Sequence, residues 1–103
     1  VRIPYVASHV KISWFVYVVR LREEYTQADR DRILKELRAH SIGCSNYFSP
    51  IHLQPFYREL FGYKPGDFPV TESVAARTIA LPFYNNLTEE EINYVVTTLK
   101  ALL

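Results

Sequence analysis

Ser13-Trp14-Phe15-Val16-Tyr17-Val18-Val19-Arg20-Leu21 is followed, after a short charged turn, by Thr26-Gln27-Ala28-Asp29. The first stretch is almost entirely β-branched or aromatic, the composition that fits a pleated surface, and it predicts a strand over 13–21. Both of its faces are apolar, which predicts cover on both sides, by the chain's own helices and by a further domain. The second stretch has the form of a capping box, with Asp in place of the usual Glu. Behind it Ile33, Leu34 and Leu37 recur at helical spacing, and Arg30, Asp31, Arg32, Lys35, Glu36 and Arg38 are expected to face mostly outward. Gly43 is expected to end this helical region.

Further along, Cys44 to Phe48 reads as a short second strand. Pro55 to Phe61 reads as a short helix, with proline in its first turn and Gly62 after its end. Tyr63-Lys64-Pro65-Gly66-Asp67 is a turn. Val70 to Arg77 reads as another short helix, and Thr78 to Phe83 as a third strand, stopped by Pro82 and Asn85-Asn86. Thr88-Glu89-Glu90-Glu91 is a second capping box, and Ile92, Val95, Val96, Leu99 and Leu102 follow at helical spacing. Three strands, with helices enough for one layer, predict an α+β, two-layer α/β sandwich.

The chain has 103 residues, so residues 1–103 are read as a single domain. Hydrophobic residues make up 49% and aromatic residues 15%, which excludes a disordered chain. A formal charge of +1, with charges alternating in sign from Arg20 to Arg38, gives no basic stripe for nucleic acid. No apolar run approaches the roughly 18 residues of a membrane span. A single cysteine, Cys44, allows no internal disulfide and points to a reducing, cytoplasmic setting. The absence of methionine predicts a processed protein or a piece of a longer one, the piece being the favoured reading.

Chemistry-bearing residues concentrate in Asn46-Tyr47-Phe48-Ser49-Pro50-Ile51-His52-Leu53-Gln54-Pro55-Phe56-Tyr57, which is too aromatic for an ordinary surface loop. Phe48, Ile51, Phe56 and Tyr57 are expected to pack. Tyr47, His52 and Gln54 carry polar tips that need partners and would suit phosphate, sugar hydroxyls or a carboxylate. Other constellations are weaker. Ser8-His9-Val10-Lys11 matches Ser-x-x-Lys but lacks its companion motifs. His9, His40, His52 and Cys44 have no recurrent ligand spacing. Cys44 with His52 is a nucleophile pair only on paper, a buried lone cysteine being the ordinary case.

At these residues the chain resembles a family. Ser13 to Leu21, then a helix ending Ser41-Ile42-Gly43, then Tyr47-Phe48-Ser49-Pro50-Ile51-His52-Leu53-Gln54 are similar to the C-terminal part of the DegT/DnrJ/StrS aminotransferases. Phe68-Pro69-Val70-Thr71-Glu72, Ala80-Leu81-Pro82 and Leu87-Thr88-Glu89-Glu90-Glu91 continue the likeness in order. The resemblance implies the small C-terminal domain of a pyridoxal-phosphate enzyme, with the large cofactor-binding domain missing and a three-stranded, mainly antiparallel sheet. It implies amino transfer from glutamate to a keto nucleotide-sugar, as in cell-surface polysaccharide biosynthesis, by a homodimer. It places Tyr47, Pro50 and His52 on an active-site-facing loop, and implies that His52 contacts the nucleotide sugar or braces the loop that does, with Tyr47 sharing that role. Together with Gln54, singled out by its polar tip, His52 and Tyr47 are the expected substrate-binding residues. None of Lys11, Lys35, Lys64 or Lys100 matches the context of the family's cofactor lysine. No catalytic residue, cofactor or metal site is therefore expected in this chain alone, which should be inactive. A free-standing binding or regulatory module of the same fold is the alternative. Neither nucleic acid nor membrane is an expected partner.

Overall fold

The computed structural model describes residues 1–103. Its centre is an antiparallel ribbon of β1 (Tyr17–Arg20) and β2 (Thr78–Leu81), in register Tyr17↔Leu81, Val18↔Ala80, Val19↔Ile79 and Arg20↔Thr78. β1 is shorter than the apolar run that predicts it. Its ladder stops at Tyr17↔Leu81 because the next residue of the partner, Pro82, has no N–H to donate. Trp14 instead folds back on Tyr17, ring centroids 5.8 Å apart.

The second strand expected over Cys44–Phe48 does not form, so the sheet has two strands and not three. Residues 44–48 reach β2 through a single bridge, Ser45↔Ala80, with amide-to-carbonyl distances of 3.2 and 2.8 Å. The carbonyl of Tyr47 is then taken by the Thr78 hydroxyl at 2.7 Å, and the chain turns off the sheet. A side chain of β2 thus occupies the acceptor that a longer ladder would use. The opposite edge carries a matching bridge, Arg2↔Arg20.

Helices α1 (Gln27–Ala39) and α4 (Glu89–Leu102) lie on one face of the ribbon. Both begin with the reciprocal capping boxes read from the sequence, Thr26 with Asp29 and Thr88 with Glu91. Between helices and ribbon sit Val19, Leu21, Ile33, Leu34, Leu37, Ile42, Ile79, Val95 and Leu99. Each fully buried aliphatic of this kind contributes about 1.5–3 kcal/mol. The other face of the ribbon bears a shallow groove of about 550 Å³, lined among others by Ile3, Tyr5, Trp14, Val16 and Val18. Within this chain, β1 is therefore covered by helices on one side only.

α1 ends earlier than Gly43. His40 is its C-cap, and Ser41 takes the left-handed conformation (φ 60°). The Ile42 amide donates to Leu37 O at 3.0 Å and the Ser41 amide to Arg38 O at 2.9 Å. These are the two bonds of a Schellman motif, and Leu37 and Ile42 supply its apolar contact in the core.

Arg30 departs from the expected outward face. It is buried, and it sits three, four and seven residues before Ile33, Leu34 and Leu37, on the same stripe. Its Nε donates to Asp31 at 2.7 Å and its Nη1 to Ala75 O at 3.0 Å, so the charge is met at both ends.

Candidate functional site

The segment between the Ser45 bridge and the second half of the chain is held by prolines. Pro50 precedes a single 3-10 turn, Ile51–Leu53, and Gln54 takes an extended conformation before Pro55, as residues preceding proline do. α2 (Pro55–Phe61) starts there and ends at Gly62, whose φ of 70° closes the helix. α3 (Pro69–Ala75) follows the Lys64–Asp67 turn. The loop thus stands between β2 on one side and α3 on the other.

His52 points inward from the 3-10 turn and is only 7% exposed. Its Nε2 lies 2.9 Å from Glu72 Oε1 on α3. Phe68 tilts against its ring at 4.8 Å, and Tyr63 meets it edge-on at 6.3 Å. The Glu72 carboxylate also accepts from the Gly66 amide, at 2.9 and 3.0 Å, and from the Phe68 amide at 3.3 Å. These donors, the Gly66 amide foremost and His52 next, hold the Glu72 carboxyl below its ordinary value.

Two clefts flank this hydrogen bond. The first, about 530 Å³, is polar and is bordered by Gln27, Arg30, Asn46, Ser49, Gln54 and Glu72. The second, about 470 Å³, is aromatic and is bordered by His52, Tyr57, Phe61, Tyr63 and Phe68. The three expected binding residues are therefore not gathered at one point. Gln54 is exposed on the polar cleft, with its side chain free of the α2 cap. His52 borders the aromatic cleft. Tyr47 borders neither; it is half-buried, with its ring against Phe48 at 4.8 Å.

Arg30 and Glu72 are additions to the expected set. Arg30 was signalled by its helical spacing, which its charge obscured. Glu72 carried no comparable signal, because its partners are two backbone amides and a histidine 20 residues away.

The weaker constellations do not assemble. No three His, Cys, Asp or Glu side chains converge on a metal-sized site. Burial raises the Cys44 thiol above its ordinary value against the opposing pull of Arg38, the reverse of nucleophile activation. Ser8 and Lys11 lie exposed in an irregular segment.

Residues 2–100 match the model of the DegT/DnrJ/EryC1/StrS aminotransferase family. The uncharacterised protein MJ1066 of Methanocaldococcus jannaschii is 39% identical over 100 residues, which is 97% of this chain and 26% of that protein. The spore coat polysaccharide biosynthesis protein SpsC of Bacillus subtilis is 29% identical over 101 residues, with the same coverage, 97% and 26%. Among solved structures, Spr1654 of Streptococcus pneumoniae, provisionally assigned as a sugar aminotransferase, superimposes with a TM-score of 0.79 at 26% identity. That match covers 84% of this chain and 21% of Spr1654. Spr1654 is known in apo, pyridoxal-phosphate and pyridoxamine-phosphate forms. The chain spans about a quarter of the length of these relatives. It belongs to the DegT/DnrJ/EryC1/StrS aminotransferase family.

Proposed function

We propose that this chain is the C-terminal small domain of a pyridoxal-phosphate-dependent aminotransferase that moves an amino group from glutamate to a keto nucleotide-sugar. The observation that carries the reading is the family match over residues 2–100, which includes the whole loop and its braces. The name of SpsC supports a setting in cell-surface polysaccharide biosynthesis. The parent is read as a cytoplasmic homodimer.

The cofactor supplies the electron sink for amino transfer when it is bound. The side chains of this chain do not fit it. Lys11, Lys35, Lys64 and Lys100 are all exposed, and none borders either cleft beside the loop. The cofactor lysine is therefore assigned to the missing large domain, and this chain alone is expected to be inactive.

What these residues contribute is one wall of a substrate site. Gln54, Asn46 and Ser49 offer amide and hydroxyl groups to the polar cleft, where the oxygen-rich face of a sugar finds donors and acceptors. His52 borders the aromatic cleft and is tied through Glu72 to the polar one, and Tyr47 anchors the start of the loop through its carbonyl.

The test uses the full-length protein containing this chain. It is expected to bind pyridoxal phosphate, to release 2-oxoglutarate from glutamate, and to convert a keto nucleotide-sugar to its amino form, seen by mass spectrometry. His52→Ala is expected to weaken use of the nucleotide-sugar more than use of glutamate. A protein that binds nucleotide-sugar but neither holds the cofactor nor aminates the sugar would overturn this reading in favour of a binding or regulatory module.

A further inference from the structure

Resting on the reading of the chain as part of a sugar aminotransferase, we propose that Glu72 is a positioning residue for His52. It fixes the ring as the Nε2–H tautomer and leaves Nδ1 as a hydrogen-bond acceptor for a donor group of the keto nucleotide-sugar. An ionised carboxylate can only accept hydrogen bonds. Glu72 Oε1 lies 2.9 Å from His52 Nε2, so the proton of the neutral ring sits on Nε2. The carboxylate is kept in place, and in its acceptor role, by the Gly66 amide at 2.9 and 3.0 Å and the Phe68 amide at 3.3 Å. Gly66 reaches that position with a φ of 96°, in the left-handed region that glycine tolerates. The Lys64–Asp67 turn is closed by the Lys64 amide on Asp67 Oδ2 at 2.9 Å, so the amides that hold Glu72 are themselves held.

The ring's other freedoms are removed as well. Phe68 at 4.8 Å and Tyr63 at 6.3 Å clamp its plane. Nδ1 has no partner within the chain, yet no fully buried side-chain nitrogen or oxygen lacks one. Nδ1 is therefore not sealed from solvent, a lone pair on a fixed ring that borders the aromatic cleft. This is the arrangement by which an outer carboxylate orients an imidazole toward its ligand. Glu72 also borders the polar cleft that Gln54 shares.

The experiment is ¹⁵N NMR of ¹⁵N-histidine-labelled full-length protein, at a pH where the ring is neutral, alongside the two half-reactions assayed separately. The wild-type protein is expected to show His52 as Nε2–H. Glu72→Ala is expected to mix the tautomers and raise KM for the keto nucleotide-sugar about tenfold, the loss of one hydrogen bond to a charged group. The glutamate half-reaction should stay within about twofold. Glu72→Gln, which keeps an acceptor oxygen, should recover most of the loss, and Glu72→Ala should add little to KM in a His52→Ala background. An Nδ1–H tautomer in the wild-type protein overturns the proposal even if no variant folds. So does equal loss of both half-reactions in Glu72→Ala. If the protein aminates no nucleotide-sugar but Glu72 still sets the tautomer, the functional reading fails and the positioning role stands.

Discussion

Arg30 shows how far a single residue can depart from its type. Its guanidinium lies on the buried stripe of α1 and donates to Ala75 O, joining α1 to the end of α3, beside the polar cleft. Arg30→Ala leaves that carbonyl only the longer contact from the Thr78 hydroxyl, at 3.3 Å, and opens a void. It should lower unfolding free energy in urea by about 2–4 kcal/mol. Arg30→Met, which refills the volume without a charge, should cost clearly less. A loss as large in Arg30→Met as in Arg30→Ala would mean that the hydrogen bonds dominate over packing. At this scale the candidate site was half legible in the sequence. His52 and Gln54 stood out because a polar tip in an aromatic, proline-framed loop needs a partner. Glu72 did not, since a carboxylate three residues into a short helix reads as ordinary N-terminal charge until the Gly66 turn is folded against it.

Among the elements, what is local was legible and what is distant was not. Both capping boxes, the α2 boundaries and the Gly62 stop depend on neighbours within a few residues, and all appear as read. The strand expected over Cys44–Phe48 depended on a partner some 35 positions away, and it fails where Thr78 Oγ1 takes the Tyr47 carbonyl. The boxes carry a pH signature. The Asp29 carboxyl is held low first by the Thr26 side chain and then by its amide; the Glu91 carboxyl is held low first by the Thr88 amide and then by its side chain. Groups depressed in the folded state contribute stability above their ordinary carboxylate range, and that stability is lost as pH falls through the lowered values. Protection factors at the Thr26 and Thr88 amides, measured against the intrinsic exchange rate at each pH, should therefore be high at neutral pH and fall as pH drops through the lowered carboxyl values. Unchanged protection in strong acid would contradict it. Ser41 offers a change of opposite sign. A serine at φ 60° pays a steric cost that glycine does not, so Ser41→Gly should raise the urea midpoint by the equivalent of about 1 kcal/mol.

For the molecule as a whole, only 12 of 103 residues are buried, which leaves most large apolar side chains at the surface. Phe15 is 80% exposed and Trp14 41%, beside the uncovered face of the ribbon. The chain spans about a quarter of its relatives' length, and exposed apolar patches of this kind drive association. Prepared alone, it should associate with itself, with an apparent mass in light scattering that rises with concentration; a strict monomer at high concentration would count against this. The ribbon itself has a further consequence. β1 and β2 pair across nearly sixty residues of intervening chain, and the Tyr25 hydroxyl closes on the carbonyl of Leu103 at 2.7 Å. During synthesis on the ribosome, α1 can coil as soon as it emerges, whereas β1 must wait, unpaired and aromatic, until Thr78–Leu81 has been made. The interval between those two events is when this sequence is most in need of a chaperone.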